Sequence, residues 1–501
     1  MSLKKILISG IWVSIGIMLG RIAGFFREAT IANTFGVSST ADVVILSLTI
    51  PDLMVNILVA GGLSAALIPE FKSHTNRMAG VLFLQSSVLT GIVFSFVTFF
   101  LVYFSNELVM MFAPGFDAVT AEKANDVLAF VLWLIPLTVL AGVSTAYLQS
   151  KGQFAIPAMG TLIFNLCLVF GLIFYVADEK DLDIFVWFVL LGGVIRWFSQ
   201  IFRLKGNFYL NGFWKKWLIH KSLFKRYLQA VLALGILTLY PVIARAFASF
   251  QGEGGIAMTN YALKLVELPL GVVITVLSVV LFPKLAAAHK RDDQKGFSMM
   301  VEEGIFWSVI LAVIIMVCIY SAADSFIYLV YGWGDIDADH LSDISSVLSI
   351  AILSLPFQAV IAMLVATCNA KKNTSMPLKA SLIGLVGLLI LCWIFEKSFG
   401  LDGVVIALVI SYLVVMFSLF IIKDQKKIYA NLDFSSVLRK LTASGLFSVL
   451  FIMGVMSLVQ ESLNQHFLIV LIEIILSMLL LVGIVYMNPA YRQHFLRLIG
   501  K

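Results

Sequence analysis

The chain has 501 residues, of which 60% are hydrophobic and 13% charged, with 35 lysines and arginines against 29 acids. Soluble domains average about 25% charged residues, so this composition excludes a soluble globular protein and describes an all-α polytopic membrane protein. No polar stretch is long enough to form a separate soluble domain.

The start, MSLKKILISGIWVSIGIMLG, has the lysine pair and apolar core of a signal peptide. It lacks a small-x-small cleavage site before Arg21 and reads as a retained first helix. One crossing needs about 20 apolar residues. Apolar segments follow at 5–26, 42–69, 79–104, 126–149, 156–177, 184–202, 227–250, 257–283, 304–323, 344–368, 376–395, 402–422, 441–459 and 466–487, which makes fourteen. An even number puts both termini on one side. Lys4, Lys5, Lys72, Arg77 and Lys151 fall on that side, as does the loop holding Arg203, Lys205, Lys215, Lys216, Lys221, Lys225 and Arg226. Lys284, Lys290, Arg291, Lys371, Lys372, Lys423, Lys426, Lys427, Arg492 and Arg497 fall there too, whereas Arg27, Lys123, Lys180 and Lys397 fall on the other. By the positive-inside rule the basic side, with both termini, is cytoplasmic.

The chain also repeats. Pro136, Lys151 and Pro157 recur as Pro356, Lys371 and Pro377, each 220 residues on, and Pro51 recurs within two residues of that offset as Pro269. Two parallel six-helix lobes are predicted, at 1–226 and 227–430, around a central cavity, with two additional spans in 431–501. Transporters use such duplications to build a site between lobes.

Ionisable residues inside spans are costly and should face protein or a polar cavity. Gly20–Pro69 is the densest such stretch, carrying Arg21, Asp42 and Asp52 along with Pro51 and Gly61-Gly62. Pro and Gly inside an apolar helix leave backbone groups that only protein or water can satisfy. Arg21 and Arg245, with Lys264, occupy corresponding early spans of the two halves. Lys264 stands three positions before Glu267, within pairing distance. These cations fit the anionic headgroup of a phosphate-bearing ligand, arginine by its planar fork and lysine as a point charge. The same residues also read as buried ion pairs that fix helix packing. Arg196 reads as snorkelling or locally bonded.

Other chemistry is excluded. Cys167, Cys318, Cys368 and Cys392 fall in or beside apolar segments at irregular spacing, and the six histidines form no HExxH, so no metal site is expected. No GxxxxGK[ST] motif and no GxGxxG after a strand is present, so the protein is expected to be no enzyme, to use no cofactor and to hydrolyse no ATP. Its driving force is then membrane potential, a Na+ or H+ gradient, or substrate supply. The basic loop at 203–226, with Phe213, Trp214 and Trp217, reads as a membrane-surface segment drawn to anionic lipids; nucleic acid is not an expected partner.

GRIAGFFREATIANTFGVSSTADVVILSLTIPDL, followed by GGLSAALIPEF, resembles the N-terminal signature of the MurJ (MviN) lipid II flippase family, within the multidrug/oligosaccharidyl-lipid/polysaccharide exporter superfamily. KGQFAIPAMGTLIFN at 151–165 and NYALKLVELPLGVVITVLSVVLFPKLA at 260–286 are similar as well. The resemblance implies a protein of the bacterial inner membrane that moves an undecaprenyl-diphosphate-linked glycan, lipid II first, to the periplasmic leaflet by alternating access. It also implies membrane lipids and cell-envelope synthesis proteins as partners. Family cavity residues carry over onto Arg21, Arg27 with Glu28, Asp42, Arg245 and Lys264; Arg27 and Glu28 are placed at the external end of span one. The last two spans would form a groove for the lipid tail. One departure stands out: the family's arginine pair after the span-two proline is Val55-Asn56 here, Asp52 stands where asparagine is common, and Ala60 replaces an acid. Another lipid-linked saccharide, such as an O-antigen, capsule or exopolysaccharide unit, is therefore the alternative cargo, and a multidrug antiporter ranks below both.

Overall fold

The computed structural model describes residues 3–54, 57, 63–176, 181–204, 213–214, 217–220, 223–224, 227, 236–271, 281, 285, 287–334, 336–371, 373, 375–421 and 466–487. The expected span at 441–459, most of the basic loop at 203–226, and Val55, Asn56 and Ala60 lie outside them. Among the described residues all regular structure is helical. The helices are α1 (Leu3–Phe35), α2 (Ser39–Met54), α3 (Ser64–Ser73), α4 (Asn76–Tyr103), α5 (Ser105–Phe112), α6 (Ala118–Val131), α7 (Leu134–Ser150), α8 (Ala155–Phe174) and α9 (Leu182–Arg203). They continue with α10 (Ile236–Ala248), α11 (Gly255–Pro269), α12 (Gln294–Ser321), α13 (Ala323–Tyr331), α14 (Ala338–Ala351), α15 (Leu355–Ala370), α16 (Ser375–Ile421) and α17 (His466–Met487). Among the described residues each of the other thirteen expected spans overlaps helix, and the chain is a polytopic membrane protein.

Four spans are built differently from a plain apolar rod. The fourth begins at Ala118 and turns at Leu132–Trp133, where Ile135 N bonds Leu132 O at 3.0 Å. Pro136 follows in the first turn of α7, where a missing N–H breaks no helical bond. The tenth repeats the device with a 3-10 turn at Ile352–Ser354 ahead of Pro356. The last two spans before residue 422 form one element, α16, broken at Gly400, whose φ of +58° suits a residue without Cβ.

Two compact units are present, Met1–Asn260 and Tyr261–Lys501, divided within α11. In the first, α1 packs along α8, α8 on α9, α4 on α7 and α2 on α6. Phe71 and Phe83 close on Tyr147, with ring centroids at 5.2 and 4.9 Å. In the second, α12 packs on α15 and α13 on α14, the counterparts of α4 on α7 and α5 on α6. The duplication extends to detail. Helix α6 begins at Ala118 and α14 at Ala338, while α7 ends at Ser150 and α15 at Ala370, so both intervals keep the 220-residue offset. Ser105 donates to Asn125 at 2.6 Å, tying α5 to α6, and Ser345 ties α14 to Asp324 of α13. Asp117 caps α6 by accepting from Thr120 N at 3.3 Å, and a hydrogen bond from the Thr120 side chain, aided by the backbone bonds, holds its carboxyl below the ordinary range. Asp337 stands in its place before α14.

The apolar exterior is that of a protein solvated by lipid. Helix α4 turns Ile92, Phe96, Phe99, Phe100 and Tyr103 outward, a patch that water would not tolerate.

Small residues set the tightest helix pair. Gly16, Gly20 and Gly24 recur at every fourth position of α1 and meet Ala158, Thr161 and Asn165 of α8; a Cβ on Gly16 would stand 2.6 Å from the Ala158 Cβ. Such stripes let backbones approach where lipid offers no hydrophobic drive. Replacing Gly16 with Leu is expected to cost about 1–3 kcal/mol through overpacking, read as a lower melting temperature in detergent. An unchanged melting temperature would remove this contact from the account.

Candidate functional site

Helix α1 runs to Phe35, past the expected end of span one, so Arg27 and Glu28 lie within a continuing helix. Helical hydrogen bonding continues through the polar REATIANT stretch because α1 packs along α8, which hydropathy alone does not register. Arg27 is 6% exposed and Glu28 4%. The guanidinium donates through Nη2 to Glu28 Oε1 at 2.5 Å and to Asp52 Oδ2 of α2 at 3.4 Å. Its Nη1 donates to Asn165 Oδ1 of α8 at 3.3 Å. Asn165 is oriented in turn by donating Nδ2 to the Gly20 carbonyl at 3.2 Å.

The network continues through asparagine. Glu28 Oε2 accepts from Asn260 Nδ2 of α11 at 2.9 Å, and Asn260 Oδ1 accepts from Arg245 Nη1 of α10 at 2.5 Å. Arg27, Glu28, Asp52 and Arg245 are thus one connected cluster, drawn from α1, α2 and α10 and bridged by the Asn260 amide of α11, with Asn165 of α8 bonded to Arg27. Arg196 of α9 adds a third guanidinium within electrostatic reach of Asp52. Arg27 keeps its buried Nε without a hydrogen-bond partner. Such an arrangement can present guanidinium N–H groups to an anion while the carboxylates hold the forks in place.

Asp42, Lys264 and Glu267 make their contacts elsewhere. Arg21 is exposed on α1. Asp42, 1% exposed, accepts from Gly254 N at 2.9 Å and Ala257 N at 2.7 Å, so a carboxylate of α2 caps the start of α11. Free N–H groups and the positive end of the helix dipole both favour an anion there. In the second unit Lys264 pairs with Glu267 at 2.8 Å as their spacing predicts. Both side chains are part-exposed, and pairs of that kind contribute little.

Sequence reasoning missed Asn165 and Asn260. Their signal was available, since a carboxamide inside an apolar run such as TLIFNLCLVF is costly unless bonded. Among the described residues no group of three histidines, cysteines, aspartates or glutamates is placed to hold a metal ion.

A family profile described as lipid II flippase MurJ matches residues 31–479. The chain is 28% identical over 406 residues to a probable lipid II flippase MurJ of Buchnera aphidicola subsp. Acyrthosiphon pisum, covering 77% of each. It is 25% identical over 462 residues to a probable lipid II flippase MurJ of Aquifex aeolicus, covering 90% of this chain and 89% of that one. Among solved structures it superposes on a lipid II flippase MurJ in an inward closed conformation with a TM-score of 0.80 at 20% identity, covering 98% of this chain and all of the other. An inward-facing MATE multidrug transporter of the MOP superfamily gives 0.69 at 17% identity, covering 83% of this chain and 98% of the other. These two superpositions show the fold.

The Asp42 cap supplies a graded test. Asp42→Asn keeps one good acceptor oxygen and Asp42→Ala none, so stability should fall in the order wild type, Asn, Ala. The full loss is expected at about 1–3 kcal/mol per buried N–H left unbonded, with faster hydrogen exchange at Gly254 and Ala257. Equal exchange in all three proteins would contradict the cap.

Proposed function

The chain belongs to the MurJ family of lipid II flippases, and on that premise we propose that it carries lipid II from the cytoplasmic to the periplasmic leaflet by alternating access. The family match over residues 31–479 is the observation that carries this reading. In it the protein sits in the bacterial inner membrane with both termini cytoplasmic, as the sorting of its lysines and arginines supports. It performs no covalent chemistry. Membrane potential or a Na+ or H+ gradient drives the cycle, and cell-envelope synthesis proteins are its neighbours.

The buried cluster is the headgroup contact in this reading. A diphosphate offers oxygens that accept charge-assisted bonds, and guanidinium forks are the donors that match them. Arg27 has an Nε–H to give, and Glu28 and Asp52 keep its fork oriented while no substrate is present. Arg21, exposed on the same helix, adds a further cation. Lys264 with Glu267 serves the second lobe, residues 227–430. The two spans after residue 430, of which α17 is described, hold the lipid tail. Val55-Asn56, in place of the family's arginine pair, make another lipid-linked saccharide the competing cargo.

Depletion of the protein from its native host, followed by extraction of undecaprenyl-linked intermediates, separates the two cargoes. Accumulation of lipid II with lysis is expected; survival with accumulation of a different lipid-linked saccharide would overturn the lipid II assignment. In the same strain Arg27→Ala and Arg245→Ala are expected to insert at normal levels and fail to support growth. Arg27→Lys should fail as well, because an ammonium cannot reproduce the fork. Full complementation by these variants would show that the cluster serves packing alone.

A further inference from the structure

Helix α17 carries a polar seam that the headgroup reading does not use. His466, Glu473 and Ser477 recur at seven and four residues, along one face of the helix. They meet Ser325, Ser321 and Cys318 at the junction of α12 and α13. Ser325 Oγ lies 3.1 Å from His466 Nδ1, Ser321 Oγ is hydrogen-bonded to Glu473 Oε1, and the Cys318 thiol lies beside both Glu473 and Ser477. The other faces of α17 are apolar, with Phe467, Leu471, Ile474, Ile475 and Leu479 turned outward.

Glu473 is 0% exposed. Seven residues into the helix, it lies about 10 Å along the axis from His466 at the usual rise. From Gly296 to Tyr331, and again from Phe467 to Met487, the sequence contains no lysine, arginine or histidine. No cation pairs with this carboxyl among the described residues, and Oε2 has no hydrogen-bond partner, nor has the neighbouring Ser477 Oγ. A bare carboxylate so placed would carry an uncompensated charge into the bilayer.

The proton count at Ser321 resolves the conflict. A serine hydroxyl has one proton to give. Ser321 Oγ already points it back along its own helix, at 2.7 Å from the Val317 carbonyl and 3.2 Å from that of Cys318. The remaining contact, to Glu473, is satisfied when the glutamic acid donates its O–H to the serine oxygen. Other titratable groups on the facing helices are engaged or distant. Asp324 accepts from Ser345, Tyr328 stacks on the His466 ring at 4.3 Å, and Tyr331 donates to the Tyr261 carbonyl at 3.0 Å. Glu302 and Glu303 lie more than four turns earlier on α12.

We propose that Glu473 is a proton-binding site inside the membrane, loaded while α17 is seated against α12 and α13 and discharged when water reaches the seam. Loading transfers a proton from hydronium to a carboxylate oxygen and releases water, and the new O–H then bonds Ser321 Oγ. Discharge is the reverse. The site does not depend on which lipid-linked glycan is carried.

Infrared difference spectroscopy on the purified full chain in lipid nanodiscs tests this without a transport readout. A carbonyl band of a protonated carboxylic acid is expected that shifts in D2O and is missing from Glu473→Gln. Ser321→Ala should move its frequency by removing the hydrogen-bond acceptor. The band should titrate between about pH 5 and 9, the range reached by buried glutamic acids. Three results would overturn the proposal: no band lost in Glu473→Gln, a band that never titrates across that range, or a band abolished by sodium at constant pH. If Glu473→Gln fails to fold, the wild-type titration and the Ser321→Ala shift decide the matter. Failure here would leave the lipid II reading intact, and a different cargo in the depletion experiment would leave this site intact.

Discussion

A guanidinium taken out of water must find its counter-charge inside the protein, and Arg27 finds it in the next residue of its own helix. Neighbouring positions on a helix do not face each other, so the side chain bends back to reach Glu28 at 2.5 Å and is held there by Asp52 and Asn165. Every helix that meets this point has its place set by it. Helix α2 must present Asp52, α8 must present Asn165, and α11 must bring Asn260 to the far oxygen of Glu28. Breaking a buried pair by removing one partner costs about 3–5 kcal/mol, which makes this cluster a structural fixture before any ligand arrives. A site that binds phosphate by arginine therefore has to be tightly braced, and the bracing carboxylates compete with the ligand they make room for.

Much of this architecture was legible in the sequence because bilayer solvation leaves few alternatives. Apolar runs of crossing length, the recurring prolines and the spacing of Lys264 and Glu267 each correspond to a helix, a turn ahead of a helix, or a bond in the structure. The burial of Arg27 was not legible because hydropathy ends a span where polar residues begin, whereas α1 continues for another two turns. The joining role of Asn165 and Asn260 was hidden for a different reason. An amide can serve both signs of charge, so nothing local tells that one will accept from Arg27 while the other links Glu28 to Arg245. Glu473 was passed over inside a helix otherwise apolar, although a lone acid in such a run is itself the signal.

Two kinds of interior polarity thus coexist. In the first unit, charges are gathered and cross-braced by amides. In the second, Glu473 meets hydroxyls and a thiol, groups that can share a proton but cannot neutralise a charge. The first kind suits an anionic ligand of fixed geometry and the second a species as small as a proton.

The matched boundaries of the repeat carry one more consequence. From Ala118 to Ala155, and from Ala338 to Ser375, the helix boundaries fall within one residue of the same offset although few side chains agree. Since the two copies parted, chemistry has been rewritten almost position by position while no net residue has entered or left either stretch. Chain length there behaves as a measured spacer between membrane faces, more conservative than the residues that fill it. Tags and reporters inserted for future work belong elsewhere in the chain.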